Sequence, residues 1–291
     1  MDVHRVPRWV MIATIEAVGA PVLVVVDEVP FEPTAPELLA RLRLEPGSQY
    51  APEVEALLAA ARRIARPRAA YRVGFVRECR DELVVLSTRA PRDRGRAGGS
   101  ARASGRAGLA SAGARSAGTT AESASPREAR FASRVLAANL GQTQLAFAYV
   151  ATCGRELDSL APAPGDVFAQ FVVETIKEMA LWAALTHLYQ HLSATYHLGA
   201  LASMNPGSGE ARVWPIEQQR QLFAFLGNVE SAVGVVLTES CLMVPNKSVS
   251  GIFFPSEEGF ENCHLCRQER CPNRRAPFDE ALWARLFPSG G

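Results

Sequence analysis

Cys263, Cys266 and Cys271 stand within nine residues in the order Cys-x2-Cys-x4-Cys, and the last is followed by Pro272. Two residues between the first pair let both thiolates turn towards one metal ion. A Cys-Pro ending also closes bacterial iron–sulfur motifs. In a reducing compartment such spacing reads as metal-binding before it reads as a disulfide. Zinc and iron–sulfur clusters both accept four thiolates, so the metal stays open between a [4Fe–4S] cluster and zinc. Arg267, Arg270, Arg274 and Arg275 surround the triplet and would offset the negative charge of either. The fourth ligand is not local unless it is His264. Cys153, Cys241 and Cys79 are the remote candidates. Cys153 is taken as the ligand, because it ends a predicted strand beside Gly154, where backbone can approach a cluster. Cys241 lies in an apolar run and reads as core. Cys79 lies near a predicted hairpin turn and reads as an ordinary thiol.

Three weaker patterns accompany the cysteines. Asn205, Pro206, Gly207 and Ser208, with Gly209, form a turn that exposes backbone N–H groups, a candidate cradle for a carboxylate or phosphate of a cofactor. It lacks the lysine of a phosphate loop, and plain turn function is the alternative. His187 and His191 lie four apart on a predicted helix and so share a face. No acid one turn away completes a metal set, which favours a partly solvated helix side. Glu174 and Glu178 share a face of the same helix; they either repel mildly in water or, if buried, share a proton. No catalytic set stands out.

These residues need elements to hold them. Asp166 is a good N-cap for a long helix over Val167 to Tyr196, whose apolar residues recur at three and four but on more than one side. That pattern places the helix at the centre of the fold. Pro52 to Ala65 is a second helix, with Glu53 and Glu55 near its start and Arg62 and Arg63 near its end. Tyr71–Val76 and Leu83–Leu86 read as strands joined at Arg80-Asp81. A helix is predicted over Phe131–Leu140 and a strand over Leu145–Thr152. A loop is predicted over Ser203–Gly209, and a helix between Pro215 and Gly227. Val235–Thr238 and Ser248–Phe254 read as strands around Pro245-Asn246-Lys247, and a last helix covers about Phe278–Phe287. Val10–Ile15 and Val22–Val26 look like buried strand material. Strands and helices mix without a βαβ repeat, so the fold class is α+β.

Residues 89–130 carry nine arginines, three acids, one leucine and no aromatic residue. Nothing there can bury enough apolar area to offset chain entropy, so the stretch reads as a disordered insertion, either a solvated linker or an Arg-rich arm. The division is then 1–88 and 131–260 as two parts of one domain, 89–130 as insertion, and 261–291 as cysteine tail with terminal helix. The whole chain of 291 residues has a formal net charge of +1, which argues against a general nucleic-acid partner. The apolar run from Trp9 to Val26 contains Glu16, one glycine and a proline, which makes it a poor membrane span. No cleavage site follows it, so no membrane partner is expected and a cytoplasmic location is.

Three blocks carry a family resemblance. They are Ser203-Met204-Asn205-Pro206-Gly207-Ser208; Trp214 through Gly227; and Leu237-Thr238-Glu239-Ser240 with Ser248-Val249-Ser250-Gly251. Together with Ile64–Tyr71 and Tyr149–Leu157, they resemble the activation domain of cobalamin-dependent methionine synthase, and more closely its stand-alone relatives. The resemblance implies an α+β domain with a curved antiparallel sheet and flanking helices. It implies S-adenosylmethionine as ligand, which remethylates an oxidised cobalamin after one-electron reduction by a donor such as flavodoxin. The family's ligand loop has an Arg, then Pro-Gly, then a Tyr; the matching positions here are Ser203, Pro206-Gly207 and Ser208. The family domain has no cysteine cluster. The joint expectation is an accessory protein with an iron–sulfur cluster that assists reductive reactivation of a corrinoid methyltransferase. Its partners would be that corrinoid protein and a low-potential electron donor. The alternatives are an S-adenosylmethionine-binding subunit and a zinc-stapled adaptor.

Overall fold

Residue alternation along the central strands dictates a sheet covered on both faces. The computed structural model describes residues 23–90, 126–257, 259–271 and 274–288. Its strands are β1 (Val24–Val26), β2 (Arg68–Arg80), β3 (Leu83–Ser87), β4 (Glu128–Ala132), β5 (Leu145–Thr152), β6 (Leu201–Met204) and β9 (Ser248–Pro255), with β7 (Val236–Leu237) and β8 (Met243–Val244) forming a separate pair. Seven of them make one curled antiparallel sheet in the order β4-β3-β2-β5-β9-β6, with β1 added beside β2. All pairings are antiparallel, as the α+β reading predicts. β5 lies at its centre and is buried at every residue.

Helices cover both faces. They are α1 (Ala35–Leu42), α2 (Ala51–Ile64), α3 (Arg134–Leu140), α4 (Val167–Thr195), α5 (Gln219–Leu226), α6 (Val229–Val233) and α7 (Glu280–Leu286). α4 is the predicted long helix, and Asp166 caps it by accepting from the Ala169 N–H at 2.9 Å. Its two halves do different things, which explains why it is apolar on more than one side. Val172, Ile176 and Ala180 pack with α1 and α2. Ala184, Leu188 and Leu192 pack on the sheet against Tyr71, Phe147 and Tyr149. Each fully buried leucine contributes about 1.5–3 kcal/mol to that docking. The opposite face, with Ala146, Ala148 and Val150, carries α3, α5, α6 and α7.

The structure departs from the sequence reading at several boundaries. Strand structure is present before Phe131: β4 begins at Glu128 and pairs with β3, and Thr88 N–H donates to Arg127 O at 2.9 Å. Ala129 and Phe131 point inward while Glu128, Arg130 and Ala132 point out, so Phe131–Ala132 is strand rather than helix. Ser133 then caps α3 by accepting from Leu136 N–H at 3.0 Å. Ser203 and Met204 belong to the edge strand β6 rather than to the following loop. β7 pairs with β8 across residues 238–242, and β9 joins the main sheet, so Pro245–Lys247 does not join a hairpin of those two predicted strands. The strand predicted at Val10–Ile15 and most of the predicted insertion, residues 91–125, lie outside the described residues.

A candidate site where the cysteine tail meets the loop after β6

The tail is built round a short 3-10 turn, Asn262–Leu265, whose Leu265 is fully buried in the core. That anchor leaves Cys263 and Cys266 half-buried on either side, and Cys271 half-buried further on. Cys266 N–H donates to Cys263 O at 3.2 Å, closing the two-residue turn between the first pair. Arg275 N–H donates to Cys263 Sγ at 3.4 Å. The Arg274 guanidinium sits inside the loop. It donates to Cys266 O at 2.7 Å, Ala276 O at 2.8 Å, Gln268 O at 3.0 Å and Cys263 O at 3.5 Å. A planar fork of five donors suits this role, and a lysine could not reproduce it.

Aromatic contacts hold the same loop from outside. The guanidinium groups of Arg267 and Arg212 lie over the Trp283 ring, 4.8 and 5.0 Å from its centre. Arg267 follows Cys266, and Arg212 comes from the connection after β6. Each such contact is worth about 0.5–1 kcal/mol at an exposed site. Asp279 N–H donates to His264 O at 2.9 Å, fixing the entry to α7.

The loop candidate lies against this tail. Asn262 Nδ2 donates to Asn205 Oδ1 at 3.2 Å and to Ser203 O at 3.3 Å. A side-chain carbon built at Gly209 would stand 3.4 Å from Cys266 Cβ and 3.8 Å from its Sγ. Asn205 turns inward: its Nδ2 donates to Tyr149 OH at 2.7 Å and to Ser250 O at 2.9 Å. Burial pushes the Tyr149 phenol up to about 12, against hydrogen bonds from Asn205 and Ser203 and the charge of Arg275. Tyr149 is therefore neutral at physiological pH.

The loop's backbone is less free than its sequence implies. Gly207 N–H donates to Trp214 O at 2.8 Å and Ser208 N–H to Asn205 O at 3.1 Å. Pro206 is buried and has no N–H. Gly207 holds φ +77°, and a side chain there would press on Ile216 from 2.9 Å, so glycine is needed for both conformation and space. The donors that made residues 205–208 a cofactor cradle in sequence terms are largely taken up within the turn.

Cys153 is not brought to the tail. It follows Thr152, which pairs with Ser248 at the start of β9, whereas the tail leaves the far end of that strand. It is fully buried with Leu157, Val172 and Ile176 in the helix layer, while Leu265, Trp283 and Leu286 of the tail pack on the other face. Burial pushes its thiol up to about 12, against the nearby Lys177 ammonium. Cys241 is buried and Cys79 half-buried. Among the described residues, no three His, Cys, Asp or Glu side chains converge as a metal site. Cys263, Cys266 and Cys271 share the tail without converging, and one N–H···S bond, to Cys263, is in place; sulfur donors suit zinc or iron rather than a hard cation.

The other patterns resolve as structural. His191 Nε2 lies 3.1 Å from Tyr71 OH, which also lies 3.2 Å from Tyr196 OH. Burial, with His187 next, pulls the His191 imidazole down. Glu174 pairs with Lys177 at 3.4 Å and Lys247 at 3.5 Å, and Glu178 accepts from Trp182. Burial alone would lower Lys177, but Asp158 at 2.8 Å and then Glu174 outweigh it, and its pKa is raised. The sequence reading missed the holding roles of Asn262 and Arg274. Only the position of Asn262, next to Cys263, could have hinted at one of them.

Fold and site together describe an α+β domain whose cysteine-bearing tail is sealed onto the loop of an edge strand. Residues 196–266, which hold that loop and the first two cysteines, match the family described as vitamin B12 dependent methionine synthase, activation domain. This part of the chain is similar to that domain. Among solved structures, the chain is similar to one titled as the crystal structure of the MetH reactivation domain bound to AdoHcy. The identity is 16%, the TM-score 0.49, and the match covers 84% of this chain and 82% of that one. No curated protein matches. Among the described residues, no helix is long and apolar enough to cross a membrane.

Proposed function

We propose that the chain is an accessory protein of corrinoid-dependent methyl transfer, whose Cys263, Cys266 and Cys271 hold an iron–sulfur cluster. One observation carries this reading. The loop after β6 and the cysteine tail meet at Asn205–Asn262 and Gly209–Cys266, inside the segment that matches the activation-domain family. A redox centre at the cysteines would stand beside the part of the domain that the family resemblance links to ligand and cobalamin chemistry. A low-potential donor would supply one electron, and a partner's cobalt(II) corrinoid would take it to cobalt(I). Clusters span about −700 to +450 mV, which includes the low potentials this needs.

A second reading has its own support. The tail is already anchored by Leu265, Arg274 and Trp283, as a structural zinc knuckle would be. S-adenosylmethionine at residues 205–208 has less support. Its proposed donors are engaged within the turn, and a serine stands at 203, where the family carries an Arg.

The test is metal and acid-labile sulfide analysis, with a visible spectrum, on protein purified without oxygen. Iron with sulfide is expected, followed by reduction of a corrinoid partner's cobalt(II). Zinc without sulfide would overturn the redox reading and leave the staple.

A further inference from the structure

We infer that Cys263 and Cys266 form a redox-active dithiol, which closes to an intramolecular disulfide by exchange with a small anionic disulfide such as oxidised glutathione. Among the described residues, no three metal-ligating side chains converge in the tail, but two of its thiols stand where they can pair. Cys263 lies in the 3-10 turn Asn262–Leu265, and Cys266 ends it. Cys266 N–H donates to Cys263 O at 3.2 Å and closes that turn. Residues three apart in such a turn eclipse, about 6 Å apart at a rise of about 2.0 Å per residue. A disulfide spans Cα separations of about 4.4–6.8 Å, so the turn already brings this pair within reach. Cys271 lies beyond an exposed stretch, and its carbonyl accepts instead from Arg274 N–H at 3.1 Å.

The surroundings hold the pair and leave it open. Leu265, between the two cysteines, is fully buried and anchors the turn. One guanidinium, that of Arg274, donates to both cysteine carbonyls, at 3.5 Å to Cys263 and 2.7 Å to Cys266. Arg275 N–H donates to Cys263 Sγ at 3.4 Å and so positions that sulfur. Both cysteines are half-buried, and residues 267–270 beyond them are exposed. Gly209 carries no side chain to cover Cys266; one built there would stand 3.8 Å from its Sγ. Arg270 is exposed, and the half-exposed Arg275 guanidinium lies 2.8 Å from Glu261. These cations favour a disulfide that carries carboxylates. In the exchange, one cysteine thiolate attacks the disulfide, a glutathione thiolate leaves, and a mixed disulfide forms. The other cysteine sulfur then attacks that bond and releases the second glutathione. The cysteines lose two electrons and two protons, which the two glutathiones carry away. The inference goes beyond the cluster reading: it concerns the metal-free tail, and closing the pair removes two of the thiolates that a cluster would take.

The test equilibrates the full-length, reduced, metal-free chain with mixtures of reduced and oxidised glutathione. Samples are quenched in acid, alkylated and mapped by peptide mass spectrometry. Cys263 and Cys266 should lose label together and appear as one disulfide, with Cys271 still alkylated. Cys271→Ser should leave that equilibrium unchanged, and Cys266→Ser should leave Cys263 able to form only a mixed disulfide. Added salt should slow oxidation by oxidised glutathione and quicken oxidation by cystamine, which carries two amines and no carboxylate. A disulfide that includes Cys271, mixed disulfides alone in the natural chain, or no loss of label at any ratio would overturn the pair. The same salt response with both oxidants would overturn the substrate class. The cluster reading is scored separately, by iron and sulfide in the protein as purified, so either can fail without the other.

Discussion

Cys153 and Cys263 are the same residue type in opposite surroundings, and the difference decides what each can do. Cys153 has no solvent exposure and a thiol raised by burial from an ordinary value near 9 to about 12. Thiolate is the reactive form, so in the folded protein freed of metal Cys153 should resist iodoacetamide at pH 8 while Cys263, Cys266 and Cys271 are labelled; peptide mass spectrometry reads this directly. The same shift links to stability. A group whose folded pKa is raised holds its proton when the unfolded chain has lost it. Its contribution is full below about 9 and falls as pH rises towards about 12. Relative to Cys153→Ala, the natural protein should therefore lose stability over that interval, measured by urea melts at pH 8 and pH 11. Parallel melts would mean that Cys153 ionises freely and is not sealed in the helix layer.

At the scale of elements, the tail holds its shape through one guanidinium and one indole. Arg274→Ala removes the donors to the carbonyls of Cys263, Cys266, Gln268 and Ala276. Hydrogen exchange should then quicken across residues 262–287 and stay unchanged in β5. Arg274→Lys should not restore protection, because an ammonium cannot span four carbonyls. Restoration by lysine would show that charge alone holds the loop. Helix ends obey simpler rules: Asp166→Ala should cost about 1 kcal/mol in a thermal melt through loss of the Ala169 N–H bond. That contrast also explains what was legible in the sequence. Asp166, Pro52 and the α4 periodicity announce themselves within a few residues. β4 did not, because only Ala129 and Phe131 of its alternation are apolar and they border a low-complexity stretch. The engagement of Gly207 N–H by Trp214, and of Asn262 by Asn205, joins residues far apart in the chain. The three cysteines were legible as a motif, but their neighbour was not, and proximity to the loop is what gives the motif a function to propose.

At the scale of the whole molecule, the long connection between β3 and β4 joins strands that are already neighbours. Ser87 pairs with Glu128, and Thr88 N–H donates to Arg127 O at 2.9 Å. Such a pair can be closed by a two-residue turn. The sheet therefore needs none of the intervening length, and the core residues on both sides, Leu86 and Ala129 among them, are placed by pairing with each other and by α3. Closing a flexible loop costs entropy that grows slowly, about 0.6 kcal/mol per doubling of length. Replacing residues 89–126 with Asn-Gly shortens the connection by more than three doublings, so the variant should be more stable by ~2 kcal/mol in urea unfolding, with an unchanged fold by circular dichroism. It also removes seven arginines and two acids, leaving a net negative protein. If the basic segment is a linker, the metal and sulfide analysis will give the same result as for the full chain. If it is an arm for an acidic surface, the stabilised variant will keep its fold but lose salt-sensitive association with that surface. A variant that fails to fold would show that the segment supplies packing, against the composition that marks it as unable to form a core.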